Sequence, residues 1–247
     1  MSNPRRHRAG APAWPARDAS TKRKSQRATW VMALERAIHP ELDGLFAPHP
    51  RRRILEAFVQ TVAREGYANT RLERVLELAE VPEPVFQEHF EDEEDCMVAA
   101  LDELVDGLRH IVRQRIAPLE LWSERVQVGL QTLLTALACY PDGARLALVE
   151  HLSAGERATA RMRAAAASAV PAMEQGRAQG EDTAHLPPQA SEAIVGGIVS
   201  ILHRHVLESR TAELPGLLPD LLYFALLPYL GHQRALRAAK VAEASEI

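Results

Sequence analysis

Apolar residues recur at helical spacing along most of the chain, beginning near residue 50. The first predicted helix carries five apolar residues on one face: Ile54, Leu55, Phe58, Val59 and Val62. Gly66 is expected to end this helix, and residues 70–73 (Thr-Arg-Leu-Glu) predict a capping box at the start of a second helix. Pro84 favours the first turn of a short third helix, from which Phe86 and Phe90 are expected to face inward.

Beyond residue 94 the pattern predicts long helices, separated by short breaks at proline and glycine. The candidate helices span residues 94–117, 122–139, 142–153, 156–179, 188–209 and 216–230. No segment alternates with the period of two that is typical of a strand, and no internal repeat is visible. The sequence therefore predicts an all-α protein, with a three-helix unit at residues 48–96 and a larger helical bundle at residues 97–247.

Composition narrows the class of protein. The chain has 247 residues, of which 47% are hydrophobic and 25% are charged, enough for one large domain or two modest ones. No apolar run is long enough for a membrane span, and no apolar segment follows the basic start as in a secretory signal. Cys96 and Cys139 form neither a metal-binding nor a disulfide pattern. We expect a soluble, cytoplasmic protein without a cofactor.

The net charge of −4 hides an uneven distribution along the chain. Residues 1–27 contain eight bases and one acid, which is typical of a flexible arm that contacts phosphates. The alternatives are a solubilising tail or a misassigned start; we assign residues 1–47 to a basic, flexible arm. Residues 80–95 are the opposite, with eight acids and no Lys or Arg. This acidic stretch includes the third predicted helix.

Three short motifs in the three-helix unit carry a family resemblance. They are Arg-Ile-Leu-Glu-Ala-Phe at 53–58, Glu-Gly-Tyr-Ala-Asn-Thr at 65–70 and Val-Phe-Gln-Glu-His-Phe at 85–90. In type and spacing they resemble the helix-turn-helix of the tetracycline-repressor (TetR) family of bacterial transcriptional regulators. Residues 214–219 and 228–231 also look like parts of some members. The resemblance implies a homodimer that binds operator DNA with its third helix and a small molecule in its helical body.

The resemblance also implies roles for particular residues. DNA contacts would come from the three-helix unit: Arg51, Arg52, Arg53, Thr70, Arg71, Pro82, Pro84, Gln87 and His89. An apolar or amphipathic effector would contact residues of the body: Trp122, Tyr140, His151, Met162 and Met173. The last two long helices would form the dimer interface, with Ile194, Gly196, Gly197, Ile201 and Tyr223. Each effector residue alone also fits a place in the core, and the glycine pair also fits close packing inside one subunit.

Four residues depart from the usual helix-turn-helix of the family. The family commonly has Gly where Glu80 stands, Ser or Thr at Pro82, Tyr at Gln87 and Lys at Glu93. Pro82 lacks the hydroxyl that would cap the third helix, and Glu93 would repel a phosphate that Lys attracts. Two functions stay open: a TetR-like regulator with weakened operator binding, or a ligand sensor or partner subunit that has lost DNA binding.

Catalysis and metal binding have little support in the sequence. No nucleophile motif and no phosphate-binding glycine loop occurs. His203 and His205 are two residues apart, which places them on different sides of a helix and makes a poor metal site. An enzyme on a helical scaffold is the third alternative, and we expect no enzymatic activity.

Overall fold

The computed structural model describes residues 49–180 and 183–244. Every element in these residues is a helix or a turn and none is a strand, so the all-α prediction is confirmed. Across the same residues, none of the helices has both the length and the apolar composition that a membrane crossing requires. The predicted basic arm, residues 1–47, lies outside the described residues.

In the three-helix unit, the first helix ends and the third helix begins where Gly66 and Pro84 predicted. Its helices are α1 (Pro50–Glu65), α2 (Leu72–Ala79) and α3 (Glu83–Gln87), with a 3-10 turn at Tyr67–Asn69. Helix α1 begins at a proline, where the missing amide proton costs no hydrogen bond. It ends at Gly66, whose φ of 81° is strained for other residues. Pro84 lies in the first turn of α3, as predicted.

The predicted capping box at residues 70–73 is wrong. The Thr70 hydroxyl donates to the carbonyl oxygen of Gly66 at 2.9 Å, and Arg71 takes the N-cap position of α2 without a capping side-chain bond. The 3-10 turn brings the Gly66 carbonyl within reach, and Ser and Thr hydroxyls readily bond a backbone carbonyl four residues back. Thr70 therefore stabilises the turn before α2 instead of the first turn of α2.

Seven further α-helices of the described chain form the body. They are α4 (Glu93–Ile116), α5 (Trp122–Cys139), α6 (Pro141–Leu148), α7 (Glu156–Ala167), α8 (Val170–Glu174), α9 (Ala190–Leu207) and α10 (Leu218–Ala244). The predicted helix 142–153 ends early and continues as a 3-10 turn at Glu150–Ser153. The predicted helix 156–179 divides into α7 and α8 because Pro171, which a helix interior excludes, starts a new helix. Helix α10 continues past residue 230 and is broken at Gly231.

Two clusters of buried apolar side chains hold these helices together. The first cluster joins α1 and α3 to α4 and α6, and includes Phe58, Phe86, Met97, Leu101 and Leu146. The helix-turn-helix unit therefore shares its core with the body. The second cluster lies inside the body, among α5, α9 and α10, and includes Trp122, Leu134, Leu202, Leu222 and Leu226.

Candidate nucleic-acid interface and the helical body behind it

Helices α2 and α3 form a helix-turn-helix whose turn is made by Glu80 and Val81. Glu80 has a left-handed backbone (φ 53°, ψ 45°), and the amide of Val81 donates to the Leu76 carbonyl oxygen at 3.2 Å. Pro82 then takes the N-cap position of α3 with an extended backbone. The turn thus needs, at position 80, the conformation that glycine adopts most easily, which explains the family's usual residue there.

Helix α3 has one buried side and one exposed side. Phe86 and Phe90 are 2% and 3% exposed, and their ring centroids lie 5.3 Å apart. Of the residues predicted to contact DNA, three are exposed around this helix: Pro82, Pro84 and Gln87. The fourth in this region, His89, is half-buried with its ring centroid 5.4 Å from that of His49. The exposed side of α3 is therefore poor in hydrogen-bond donors.

Two arginines predicted to contact DNA are bound to other parts of the fold. Arg51 pairs with Glu103 of α4, and its guanidinium lies over the Phe90 ring, 5.5 Å from the centroid. Arg53 donates to the Glu80 carbonyl oxygen at 2.8 Å and lies 3.6 Å from the Glu80 carboxylate. These contacts fasten α1 to α4 and to the turn after α2.

Three other arginines of the unit differ in whether an ion pair holds their side chains. Arg52 and Arg74 pair with glutamates on their own helices, at 3.0 and 3.1 Å. Exposed pairs of this kind contribute little to stability, so they can exchange partners. Arg71, at the start of α2, is exposed and makes no ion pair or side-chain hydrogen bond with the described residues. Its guanidinium makes none of the ion pairs that hold Arg51 and Arg53.

The acidic stretch of residues 80–95 divides into structural and exposed carboxylates. Asp92 caps α4 by accepting the amide of Asp95 at 2.7 Å. Glu94 accepts the amide of Arg157 at 3.1 Å, and Asp95 pairs with the Arg157 guanidinium at 2.9 Å. The sequence did not indicate these links between α4 and α7, which join residues more than 60 positions apart. Besides Asp92, which is also exposed, four acids of this stretch are exposed: Glu80, Glu83, Glu88 and Glu91.

The five residues predicted to contact an effector do not converge on one place. Trp122 and Met173 are 5% and 7% exposed and belong to the second core. Tyr140 and Met162 pack instead against the first core. His151 is half-buried, and burial lowers the pKa of its imidazole. The structure therefore keeps Trp122 and Met173 together and separates them from the other three.

Around Trp122 the structure gathers polar groups that the sequence did not indicate. The indole N–H donates to the carbonyl oxygen of Ala172 at 2.7 Å, and the Tyr229 ring meets the indole edge-on at 5.1 Å. The hydroxyls of Tyr229 and Ser191 lie 2.6 Å apart, and Ser191 also donates to Glu174. These residues come from four different helices, so only the fold shows their proximity. These four helices thus meet around an apolar cluster whose few polar groups bond to one another.

The residues predicted for a dimer interface differ in their exposure on α9 and α10. Ile194 is 4% exposed and packs inside its own subunit. Gly196 is exposed, and apart from the neighbouring backbone of α9 no atom of the described residues lies within 4 Å of the position of a Cβ there. The other three are half-buried: Gly197, Ile201 and Tyr223. Four of the five therefore reach the surface.

Comparison with known proteins identifies the fold. The chain matches no protein-family model, and the search of curated proteins found no match. The fatty acid degradation regulator FadR from Bacillus halodurans aligns with a TM-score of 0.65 at 16% identity, over 74% of this chain and 96% of that chain. FadR from Bacillus subtilis, solved in complex with stearoyl-CoA, aligns with a TM-score of 0.64 at 17% identity, over 72% and 97%.

A third solved structure has the same architecture. It is a TetR family transcription regulator from Marinobacter aquaeolei VT8, with a TM-score of 0.54 at 19% identity, over 70% of this chain and 94% of that chain. All three neighbours are regulators, and two of them are named as regulators of transcription. Together with the helix-turn-helix at residues 72–87, these alignments show that the chain has the all-α fold of TetR-type transcriptional regulators, as its motifs predicted.

Proposed function

We propose that this protein is a dimeric transcriptional regulator that binds operator DNA through α2 and α3. Its DNA affinity would change when a small amphipathic molecule binds in the body. The observation that carries the proposal is the helix-turn-helix at residues 72–87, on a fold that covers 94–97% of three regulators. Such a protein would act in the cytoplasm, where its operator is accessible.

DNA contacts would come from α3 and from arginines that change partner. Among the exposed residues Pro82, Pro84 and Gln87, only the Gln87 amide can donate a side-chain hydrogen bond to a base edge. Arg71 can reach a phosphate without leaving an ion pair with a described residue. Residues 1–27, with eight bases, would supply the remaining phosphate contacts.

The effector is expected to have a long apolar part. The B. subtilis neighbour was solved in complex with stearoyl-CoA. In this chain the second core surrounds Trp122 with aliphatic side chains, and Ser191, Tyr229 and Glu174 form a polar group beside it. Stearoyl-CoA is therefore the first probe to test, with stearate and free CoA as controls for its two parts.

The dimer would form on the exposed apolar side of α9 and α10. Phe224 and Leu207 are 42% and 52% exposed there. Carbon atoms of the Phe224 ring lie 3.3 Å from the position of a Cβ on Gly197, so the glycine lets the two helices lie close. Exposed apolar side chains beside bare helix backbone suit a symmetric interface in which two copies approach each other closely.

An electrophoretic mobility shift assay with DNA from upstream of the protein's own gene tests DNA binding. The protein is assayed at low and moderate salt, with Arg71→Ala as the test variant. Arg163→Ala is the matched control, because Arg163 is a comparably exposed arginine on α7. Binding that Arg71→Ala weakens and Arg163→Ala leaves unchanged supports the proposal. A folded, dimeric protein that does not shift this DNA even at low salt contradicts it.

A second candidate function is a ligand sensor or partner subunit without DNA binding. The ion pairs of Arg51 and Arg53 favour it, because they engage the cations that would contact phosphates. The four exposed acids beside the α2–α3 turn and α3 add repulsion. In this case stearoyl-CoA would raise the melting temperature by mass action, while no salt concentration would give a DNA shift.

A further inference from the structure

Glu150 is a buried carboxylate at the contact between the body and the helix-turn-helix unit. It is 6% exposed and lies in the 3-10 turn that follows α6. Its Oε2 accepts the backbone amide of Tyr67 at 3.0 Å, and its Oε1 pairs with the Arg145 guanidinium at 2.9 Å. A carboxylate is rarely buried unless such partners compensate for its lost hydration. A buried charge of the body is thus directed at one backbone amide of the unit.

The amide that Glu150 binds belongs to the turn that leads into α2. Gly66 precedes it, and a Cβ on Gly66 would lie 3.5 Å from Glu150 Oε2. The Tyr67 ring packs edge-on near Phe58 of the first core, at a centroid distance of 6.5 Å. Because α2 begins at Leu72, a few residues after this turn, holding the Tyr67 amide restrains where α2 and α3 lie relative to the body.

The same short segment of the body is also bound to α4. Arg157 pairs with Asp95, and Arg161 pairs with Asp102. Residues 150–161 therefore contact the helix-turn-helix unit at one end and α4 at the other. Any shift of this segment would move the acceptor that holds the Tyr67 turn.

We infer that Glu150 positions the helix-turn-helix unit on the body and thereby sets DNA affinity. Glu150 acts through the Tyr67 backbone amide, so it is a positioning residue and no DNA contact is assigned to it. Its effect on DNA rests on the proposed function, whereas its hold on the turn can be measured without DNA.

Two double variants isolate this contact. Arg145→Met with Glu150→Leu removes both charges and the acceptor, while Arg145→Met with Glu150→Gln removes both charges and keeps a carbonyl oxygen for the Tyr67 amide. Neither variant changes the net charge of the protein, and neither leaves a buried charge without its partner. The two variants differ in whether residue 150 can accept the Tyr67 amide. A difference in behaviour between them is therefore due to that hydrogen bond.

Hydrogen–deuterium exchange of peptides covering residues 62–72, and DNA affinity by fluorescence anisotropy, are measured on variants shown to be folded and dimeric. Compared with the wild type, the Leu variant should exchange faster in this segment and bind DNA about tenfold more weakly. That is the effect expected from losing one orienting hydrogen bond. The Gln variant should stay within about twofold of the wild type, because its acceptor remains. A merely structural role would lower the melting temperature without this ordering of DNA affinities.

Equal exchange and equal DNA affinity in the two variants would overturn the inference. If the wild type binds no DNA, the proposed function fails, and the exchange comparison then decides alone whether Glu150 holds the turn. If the Leu variant does not fold, Arg145→Met with Glu150→Met takes its place, because the flexible Met side chain fills the same space with less strain.

Discussion

Glu80 ends α2 in a left-handed conformation, and its side chain makes little contact. The carboxylate is 86% exposed and lies 3.6 Å from the Arg53 guanidinium, and an ion pair exposed to this extent contributes little to stability. A residue with a Cβ is strained by roughly 1–2 kcal/mol in this conformation, which glycine adopts freely. The rest of the fold therefore holds the turn between α2 and α3 in a backbone conformation that is unfavourable for Glu80.

Glu80→Gly should raise the free energy of unfolding by about 0.5–1 kcal/mol, because strain is removed while the unfolded chain gains some entropy. Glu80→Ala is the matched control, since it removes the same carboxylate and keeps the Cβ. Urea denaturation of the three proteins measures the difference. Equal stability of the Gly and Ala variants would show that the conformation at position 80 is not strained.

His151 should make stability depend on pH near neutrality. Burial first, and then the neighbouring His203, lower the pKa of the His151 imidazole in the folded protein. The unfolded chain therefore takes up this proton at a higher pH than the folded chain does. Stability should be full above a pH of about 7 and should fall as the pH drops through about 6.5, the ordinary value for histidine.

The test compares His151→Gln with His110→Gln, an exposed position on α4. Melting temperatures are recorded between roughly pH 5 and pH 8, the range in which an ordinary histidine titrates. The His151 variant should have a flatter profile than the wild type, while the His110 variant should follow the wild type. A His151 variant that keeps the full slope would assign the pH dependence to other groups.

Residues whose role depends on sequence neighbours were predictable. Gly66 and Pro84 mark helix ends through their own backbone limits, and Phe86 follows from the helical period. The role of Thr70 was not, because its hydroxyl could either accept an amide of the α2 first turn or donate to the Gly66 carbonyl oxygen. The pair of Glu150 and Tyr67 gave no sequence signal, since 83 positions separate the two residues.

At the scale of elements, α9 and α10 carry the proposed dimer surface. Gly197→Leu should weaken dimerisation, but it would also displace Phe224 within the subunit. Gly196→Leu is the cleaner test, because among the described residues only the neighbouring backbone of α9 itself lies within 4 Å of the new Cβ. Sedimentation equilibrium should show weaker association for Gly196→Leu with unchanged helix content. An unchanged dimer would place the interface elsewhere.

Helix α5 begins at Trp122, which links it to α8. Trp122→Phe removes the hydrogen bond to the Ala172 carbonyl and keeps an aromatic ring, so it should cost about 1–3 kcal/mol of stability. If Trp122 lines the effector site, the rise in melting temperature caused by stearoyl-CoA should shrink in this variant. A rise equal to that of the wild type, in a properly folded variant, would remove Trp122 from the site.

Element positions were predicted better than element lengths. The helix predicted at 122–139 is α5, because Trp122 and Pro141 bound a continuous helical pattern. The division at α8 was missed although Pro171 was visible, because the alanine-rich stretch before it continues the helical pattern. The extension of α10 past Gly231 was missed because a glycine after an apolar run is an ordinary helix end.

At the scale of the whole molecule, an excess of bases lies at the start of the chain, outside the described part. Deleting residues 1–27, which carry eight bases, should weaken DNA binding far more than Gln87→Ala does, because phosphate contacts supply most non-specific affinity. The deletion should also flatten the dependence of affinity on salt. Anisotropy titrations at several salt concentrations measure both effects; an unchanged slope would mean that the arm makes no phosphate contact.

Arg51, Arg52 and Arg53 are each paired with a glutamate in the folded unit, so each would have to leave that glutamate before it could bind a phosphate. An arginine that leaves a carboxylate for a phosphate leaves a bare anion behind on the protein. DNA would still release its condensed cations, because a single carboxylate does not condense them as the phosphate chain does. For the folded unit, binding would be an exchange of ion partners, and each exchanged arginine would add less to affinity than an arginine that starts without a partner.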